Sequence, residues 1–279
     1  MIKGFAPAKV NLALHVTGQR ADGLHLLDSL VCFADVGDEV SVTPSAQFTL
    51  SVEGADGLAA GDDNLVLKAA RCFGANAGAR IRLNKKLPVA AGLGGGSADA
   101  ACTLRLLSKL WQLDLPAAAD ILALGADVPV CLTGRSARMQ GIGEAITPLE
   151  NMPPFAAVLV NPGVAVPTQS VFNSLKSKDN SPLNPIPNSE NPADWIAYIS
   201  MLRNDLEVPA LQIAPVIDRV LERLGSSERC AIARMSGSGA SCFGLFETRE
   251  AAQLSAQKIR ALEPDWWVVD CWLGGSAHT

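Results

Sequence analysis

Apolar Val10, Leu12, Leu14 and Val16 alternate with Asn11, Ala13 and His15, the period of two that a strand with one buried face requires. The polar residues 17–23 follow as a turn. Further apolar runs at 30–34, 40–43 and 48–52, punctuated by turn residues such as Gly37-Asp38, predict a chain that opens as a mainly antiparallel sheet. The pattern then changes to a helical one. Asp63 or Asn64 can cap a helix through Leu65, Ala69, Ala70 and Phe73, and Ile81 and Leu83 read as a strand. Ala101, Leu104, Leu107 and Trp111, with Arg105 and Lys109 on other faces, form the apolar stripe of a helix over 98–111.

A turn at Gly141-Ile142-Gly143 and the apolar run 155–160 suggest two domains, 1–150 and 151–279. The stretch 176–194, rich in Asn, Ser and Pro, reads as an exposed irregular excursion. Helices over 195–203, 215–224 and 249–261, with strands at 230–235, 242–246 and 266–272, complete an α+β architecture without a long parallel series.

Composition narrows the function classes. With 279 residues, 48% apolar, the chain can bury a sizeable core. A net charge of -5 argues against a nucleic-acid surface, since Lys85-Lys86 is the longest basic run noted. No run of about 18 apolar residues occurs, and the first residues lack a signal-peptide pattern, so no membrane association and a cytoplasmic location are expected. Seven scattered cysteines without a C-x-x-C pair suggest reduced thiols rather than disulfides or zinc.

An acidic protein that handles an anionic ligand must gather local donors, which draws attention to glycine-rich loops. The segment Pro88-Val89-Ala90-Ala91-Gly92-Leu93-Gly94-Gly95-Gly96-Ser97-Ala98 lies between a predicted strand and a predicted helix. Glycines there can turn amides toward a polyphosphate at a helix start, with Ser97 as N-cap or phosphate ligand. A plain structural turn is the alternative. The segment lacks the Gly-Lys-Ser/Thr of a P-loop and the third glycine of a dinucleotide fingerprint. A second glycine loop, with Gly237, Ser238 and Gly239, could add amides or be only a tight turn. Lys9 and Asn11 share one strand face, and Asp127 follows a helix between apolar neighbours. Taken singly, the lysine would be solvated and the aspartate a cap or buried acceptor.

Together, residues 7–11, 88–101 and 235–241 resemble, in order and spacing, the three motifs of the galactokinase, homoserine kinase, mevalonate kinase and phosphomevalonate kinase (GHMP) superfamily. Residues 17–25, 125–130 and 141–144 are similar to those of its diphosphocytidyl-methylerythritol kinases. The resemblance implies a two-domain GHMP kinase fold, with mainly antiparallel sheets, packed helices and an interdomain active-site cleft. It implies transfer of phosphate from ATP to a cytidine-diphosphate alcohol in the non-mevalonate isoprenoid pathway, with no obligate protein partner. Lys9 and Asp127 match the catalytic pair, with Asp127 taking the hydroxyl proton and Lys9 orienting the attacking oxygen. Residues 88–98 match the phosphate loop, and Asn64 and Lys85 lie toward the adenosine. Mg²⁺ rides on the phosphates, and Ser97 is the one protein ligand suggested. His25 and Phe172 match residues at the cytosine, and Asn11, Asp127 and Thr168 lie near the rest of the substrate. The family usually has Tyr before that histidine, whereas Leu24 stands here, removing a stacking partner worth about 0.5–1.5 kcal/mol. A sibling kinase for another alcohol and a non-catalytic nucleotide sensor are the competing readings.

Overall fold

The computed structural model describes residues 1–55, 58–74 and 78–274. The chain opens with two long strands, β1 (Ile2–Gln19) and β2 (His25–Ser45), paired antiparallel from Ile2 opposite Val42 to Gln19 opposite His25. The turn between them is tighter than the polar run predicts, because Thr17, Gly18 and Gln19 remain in β1. Asp22 makes the reversal by accepting from the Leu24 N–H, and Gly23 follows at φ +89°.

The runs at 30–34 and 40–43 belong to one strand, since Gly37-Asp38 is not a turn. Gly37 sits opposite Pro7, where a Cβ would lie 2.2 Å from the Ala6 carbonyl oxygen. Glycine serves close approach at that point, next to a register shift between Pro7 and Lys9.

β3 (Thr49–Glu53), α1 (Leu65–Arg71) and β4 (Gly78–Asn84) follow. Asn64 caps α1 through the Val66 N–H, and the helix stops at Arg71, short of Phe73. β4 pairs antiparallel with β2 and parallel with β3. α2 (Gly95–Trp111) begins before residue 98, because Gly94 takes the capping position in the left-handed conformation at φ +61°. Ser97 therefore lies inside the first turn and is not the N-cap. The short helices α3 (Ala118–Leu124) and α4 (Val128–Thr133) precede the hairpin β5 (Ala137–Gly141) and β6 (Ala145–Pro148), which docks on β2. Leu104 and Leu107 of α2 pack with Val40, Val42, Ile81 and Leu83 of the sheet, each such side chain contributing about 1.5–3 kcal/mol on burial.

The second half comprises β7 (Phe155–Asn161), α5 (Thr168–Asn173), α6 (Pro192–Ser200), α7 (Glu207–Ile213), α8 (Val216–Gly225), β8 (Cys230–Met235), β9 (Cys242–Phe246), α9 (Arg249–Leu262) and β10 (Trp267–Leu273). β10 meets β2 at Leu273 and Ala34, so the described strands form one sheet with β3-β4-β2-β10-β7-β9-β8 in order. The fold is α+β and mostly antiparallel, as the sequence predicts. The helices α4, α5 and α7 go unpredicted and α3 is anticipated only as the helix before Asp127, without bounds, since none exceeds two turns and so short a segment shows little periodicity. The core is continuous across residue 150: Val10, Leu12 and Leu30 pack in one cluster with Leu159, Trp195 and Phe243.

The stretch 176–191 is irregular but is not a loose excursion, and 192–194 belong to α6. Leu183 is buried and its N–H donates to Asp28 Oδ2. His15 Nδ1 and Arg203 Nη2 reach the Ser181 carbonyl at 2.9 and 2.8 Å, and the Tyr198 hydroxyl donates to the Asn184 carbonyl. These bonds pin the segment as a strap over β1 and β2. Among the described residues no helix is long and apolar enough to cross a membrane.

Substituting Gly37→Ala forces β2 away from β1, and chemical denaturation should show a loss of about 1–3 kcal/mol. Unchanged stability would mean that the strands separate there without strain.

Candidate active site

β1 has β2 as its only strand partner among the described residues, so its other edge must find acceptors elsewhere. The Lys9 N–H donates to the Leu93 carbonyl at 2.9 Å, and the Asn11 N–H to Ser236 Oγ at 3.1 Å. A register shift between Asn11 and Ala13 moves the alternation by one residue. Leu14 and Val16 then donate to the Arg203 carbonyl and to Asp205 Oδ2. One strand edge thereby holds the first glycine turn, the second glycine loop and the segment after α6.

The two glycine loops also touch. Ser236 Oγ donates to the Gly92 carbonyl at 2.9 Å, and the Ser241 N–H to the Ala91 carbonyl at 3.1 Å. A Cβ on Gly92, at φ +74°, would lie 2.4 Å from the Ser236 carbonyl oxygen. The second loop joins β8 to β9 and is held by Asn204, whose amide donates to the Met235 and Gly237 carbonyls.

Lys9 is buried and its ammonium is held by two acceptors, 2.6 Å from Asn11 Oδ1 and 2.9 Å from Asp127 Oδ2. Asn11 is oriented in turn by donating to Ser29 Oγ at 2.7 Å. Asp127 occupies the N-cap position of α4 without capping it, so its carboxylate is available to Lys9. Gly143 supports this segment from behind, where a Cβ would lie 2.4 Å from the Ala126 carbonyl oxygen. The glycine turn crosses directly over the pair: a Cβ on Gly94 would stand 2.9 Å from Lys9 Cε and 3.8 Å from Asp127 Oδ2.

Two cavities meet at this crossing. One, of about 590 Å³, is lined by Asn64, Leu65, Lys85, Pro88 and Gly96. The other, of about 330 Å³, contains Lys9, Asn11, Asp127, Phe172 and Gly237. Ala90, Gly94, Ser97 and Thr168 line both. The arrangement suits delivery of a group from one cavity to a nucleophile in the other beside a lysine and a carboxylate.

Models of the GHMP kinases N terminal domain and the GHMP kinases C terminal domain match residues 64–137 and 190–264. The 4-diphosphocytidyl-2-C-methyl-D-erythritol kinase of Dinoroseobacter shibae is 55% identical over 270 residues, covering 96% of this chain and 93% of that protein. The protein of the same name from Cereibacter sphaeroides is 52% identical over 279 residues, covering 99% and 100%. A crystal structure of 4-(cytidine 5'-diphospho)-2C-methyl-D-erythritol kinase matches with a TM-score of 0.80 at 35% identity, covering 98% of this chain and 100% of the other. The chain belongs to the 4-diphosphocytidyl-2-C-methyl-D-erythritol kinase family. It is a phosphotransferase of the GHMP class, whose phosphate donor is ATP.

Most of the expected residues of this GHMP kinase line one cavity or the other, and His25 lines neither. Asn64 lines the larger one while its Oδ1 caps α1 and its Nδ2 donates to the Ala59 carbonyl. Lys85 also lines it, but its buried ammonium is held by Asp38 and by Asp99 Oδ2, the latter at 2.8 Å. Thr168 Oγ1 lies 2.8 Å from Ser238 Oγ. His25 and Phe172 are stacked on each other, centroids 4.7 Å apart, so a base between them must displace one ring. Nε2 of His25 is buried without a partner, and burial, aided by Lys178, holds its pKa below the usual value. Leu24 is about half exposed beside them.

Sequence reasoning missed Asp38, Asp99, Ser236 and Asn204 as site-building residues. Asp38 was masked by the apparent Gly37-Asp38 turn. Asp99 carried a usable signal, being a carboxylate among small apolar residues on the inward face of α2.

Burial raises the Asp99 carboxyl to about 7, with Lys85 opposing the rise and the Asp38 charge adding to it. For Lys85, burial disfavours the charge, but the two carboxylates outweigh it and raise its pKa. Because the folded value for Asp99 exceeds the ordinary 3.8, the unfolded chain loses this proton first as pH rises. Asp99 therefore withdraws stability progressively from about pH 4 to about pH 7, and fully above that. In urea melts Asp99→Asn should gain on the wild type across this window; a pH-independent difference would contradict the assignment.

Proposed function

We propose that the protein transfers the terminal phosphoryl group of ATP to the 2-hydroxyl of 4-diphosphocytidyl-2-C-methyl-D-erythritol, giving the 2-phosphate and ADP. The observation that carries this reading is the crossing of the glycine turn over the Lys9–Asp127 pair, where two cavities meet. Relatives named for this substrate, at 52 to 55% identity over nearly the whole chain, support the choice of acceptor.

In this reading the free amides within 89–97 bind the phosphates and hold the terminal phosphorus above Lys9. Asp127 accepts the proton of the attacking hydroxyl as the new O–P bond forms, and the bond to the ADP oxygen breaks in line. The Lys9 ammonium orients the nucleophile and offsets charge on the transferring oxygens. Asn11 and Ser29 keep the ammonium from rotating away. Asn64 and Lys85 face the nucleoside side of the donor. Thr168, with Ser238, borders the acceptor, and His25 and Phe172 take its cytosine, for which the unpartnered His25 Nε2 is a ready hydrogen-bond site.

Among the described residues no cluster of three or more His, Cys, Asp or Glu could hold a metal. Mg²⁺, which neutralises phosphate charge, would ride on the phosphates, with the Ser97 hydroxyl as the protein oxygen offered to it in the larger cavity. In the division we propose, 1–150 is the nucleotide-binding domain and 151–279 the substrate-binding domain.

Asp127→Asn should lower turnover by about 10²- to 10⁴-fold while ADP binding, measured by calorimetry, stays within about threefold. Full activity in that variant would remove Asp127 from the reaction. Restoring an aromatic face with Leu24→Tyr should lower the KM for the cytidine substrate by about two- to tenfold, with little change in the KM for ATP. An unchanged acceptor KM would place the cytosine away from residue 24.

A further inference from the structure

The glycine turn is a neck-and-loop structure. Its neck is formed by the end of β4, where the chain enters, and by the start of α2, where it leaves. Three buried charged residues lie across that neck. Asp38 of β2 is fully buried, and its Oδ1 accepts from the Lys86 and Leu87 N–H groups at 2.6 and 2.9 Å, fixing the entry. Its Oδ2 accepts from Lys85 Nζ, which also donates to Asp99 Oδ2 at 2.8 Å, fixing the exit. The ammonium lies so close under α2 that a Cβ on Gly95 would be 3.2 Å from it. A side chain at position 95 would therefore press on the lysine.

Stability alone does not account for this cluster. Asp99 is 2% exposed and its Oδ1 has no partner, so half of a buried carboxyl goes unsatisfied. A buried charged triad can commonly be replaced by apolar side chains at no loss of stability. What apolar side chains cannot supply is a directional tie between β2, the end of β4 and the first turn of α2.

We propose that Asp38 and Asp99 are positioning residues for nucleotide binding, clamping Lys85 across the neck of the glycine turn so that its amides are held ready for phosphate. The inference rests on the reading of 88–98 as the phosphate cradle. A pre-ordered cradle gains affinity because less chain entropy is lost on binding. Lys85 and Asp99 line the larger cavity and not the smaller one, so loss of the clamp should weaken the donor far more than the acceptor.

The test is calorimetric binding of ADP together with steady-state KM for both substrates. Asp99→Ala cuts the exit tie and should raise the ADP dissociation constant about tenfold, with the acceptor KM within about twofold. Asp99→Asn keeps an oxygen for Lys85 and should restore wild-type ADP affinity. The triple replacement Asp38→Asn, Lys85→Met and Asp99→Leu should melt at or above the wild-type temperature while binding ADP at least tenfold more weakly, which shows that the cluster serves binding and not stability, and the Ala and Asn substitutions at 99, which keep Lys85, isolate the positioning role. If the triple variant does not fold, the Ala and Asn substitutions at 99 carry the test. ADP affinity unchanged in Asp99→Ala, failure of Asn to rescue, or equal losses for both substrates would overturn the proposal. Gly96→Asp probes the cradle itself, since a Cβ there meets nothing closer than 3.6 Å but a carboxylate would repel phosphate. ADP binding that survives that change would overturn the cradle reading, and with it the inference.

Discussion

The structure depends on the uncommitted edge of β1. A strand with one sheet partner leaves alternate N–H groups that must be satisfied, and in this chain they are spent on the Leu93 carbonyl, Ser236, the Arg203 carbonyl and Asp205. Those four acceptors lie in three segments remote from one another in sequence. Because a backbone ladder tolerates little displacement, they are held relative to Lys9 and Asn11 on the same strand. The bulge after Asn11 lets a single edge serve both the glycine turn and the segment beyond α6.

Charge is handled locally. The protein is acidic overall, and the two buried lysines at the glycine turn are each engaged by carboxylates: Lys9 by Asp127, Lys85 by Asp38 and Asp99. In the proposed function, attraction of phosphate by a general positive field is replaced by short-range donors, the amides of the turn and the start of α2. Such donors work only when their directions are held. That requirement explains why the turn is tied on every side, by β1 and Ser241 at its middle and by the aspartates at its neck.

The second half supplies walls to the site. α5 brings Thr168 and Phe172, the β8–β9 loop brings Gly237 and Ser238, and the strap ties the chain between α5 and α6 to Asp28, His15 and Arg203. Arg138 completes this anchorage with a two-pronged ion pair to Asp28, at 2.8 and 2.6 Å, linking β5 to β2 beneath the strap. With a core shared across residue 150, motions of the two halves are constrained by packing as well as by the joined sheet.

Read alone, the residues determine most of the elements, since strand alternation and the α2 and α9 stripes are local consequences of which side chains prefer burial. They also draw attention to the glycine turns, whereas Lys9 and Asp127 stand out only through the resemblance to the kinase family. They do not say that Gly37 is a crossing rather than a turn, that the 176–191 segment is a strap, or that Asp38 and Asp99 converge on Lys85. Each of those depends on a partner 14 or more residues away or on a backbone approach, such as Ala6 against Gly37 or Ser181 against His15. Short-range propensity carries no information about such encounters; they are decided when β1 and β2 pair and the remaining chain packs around them.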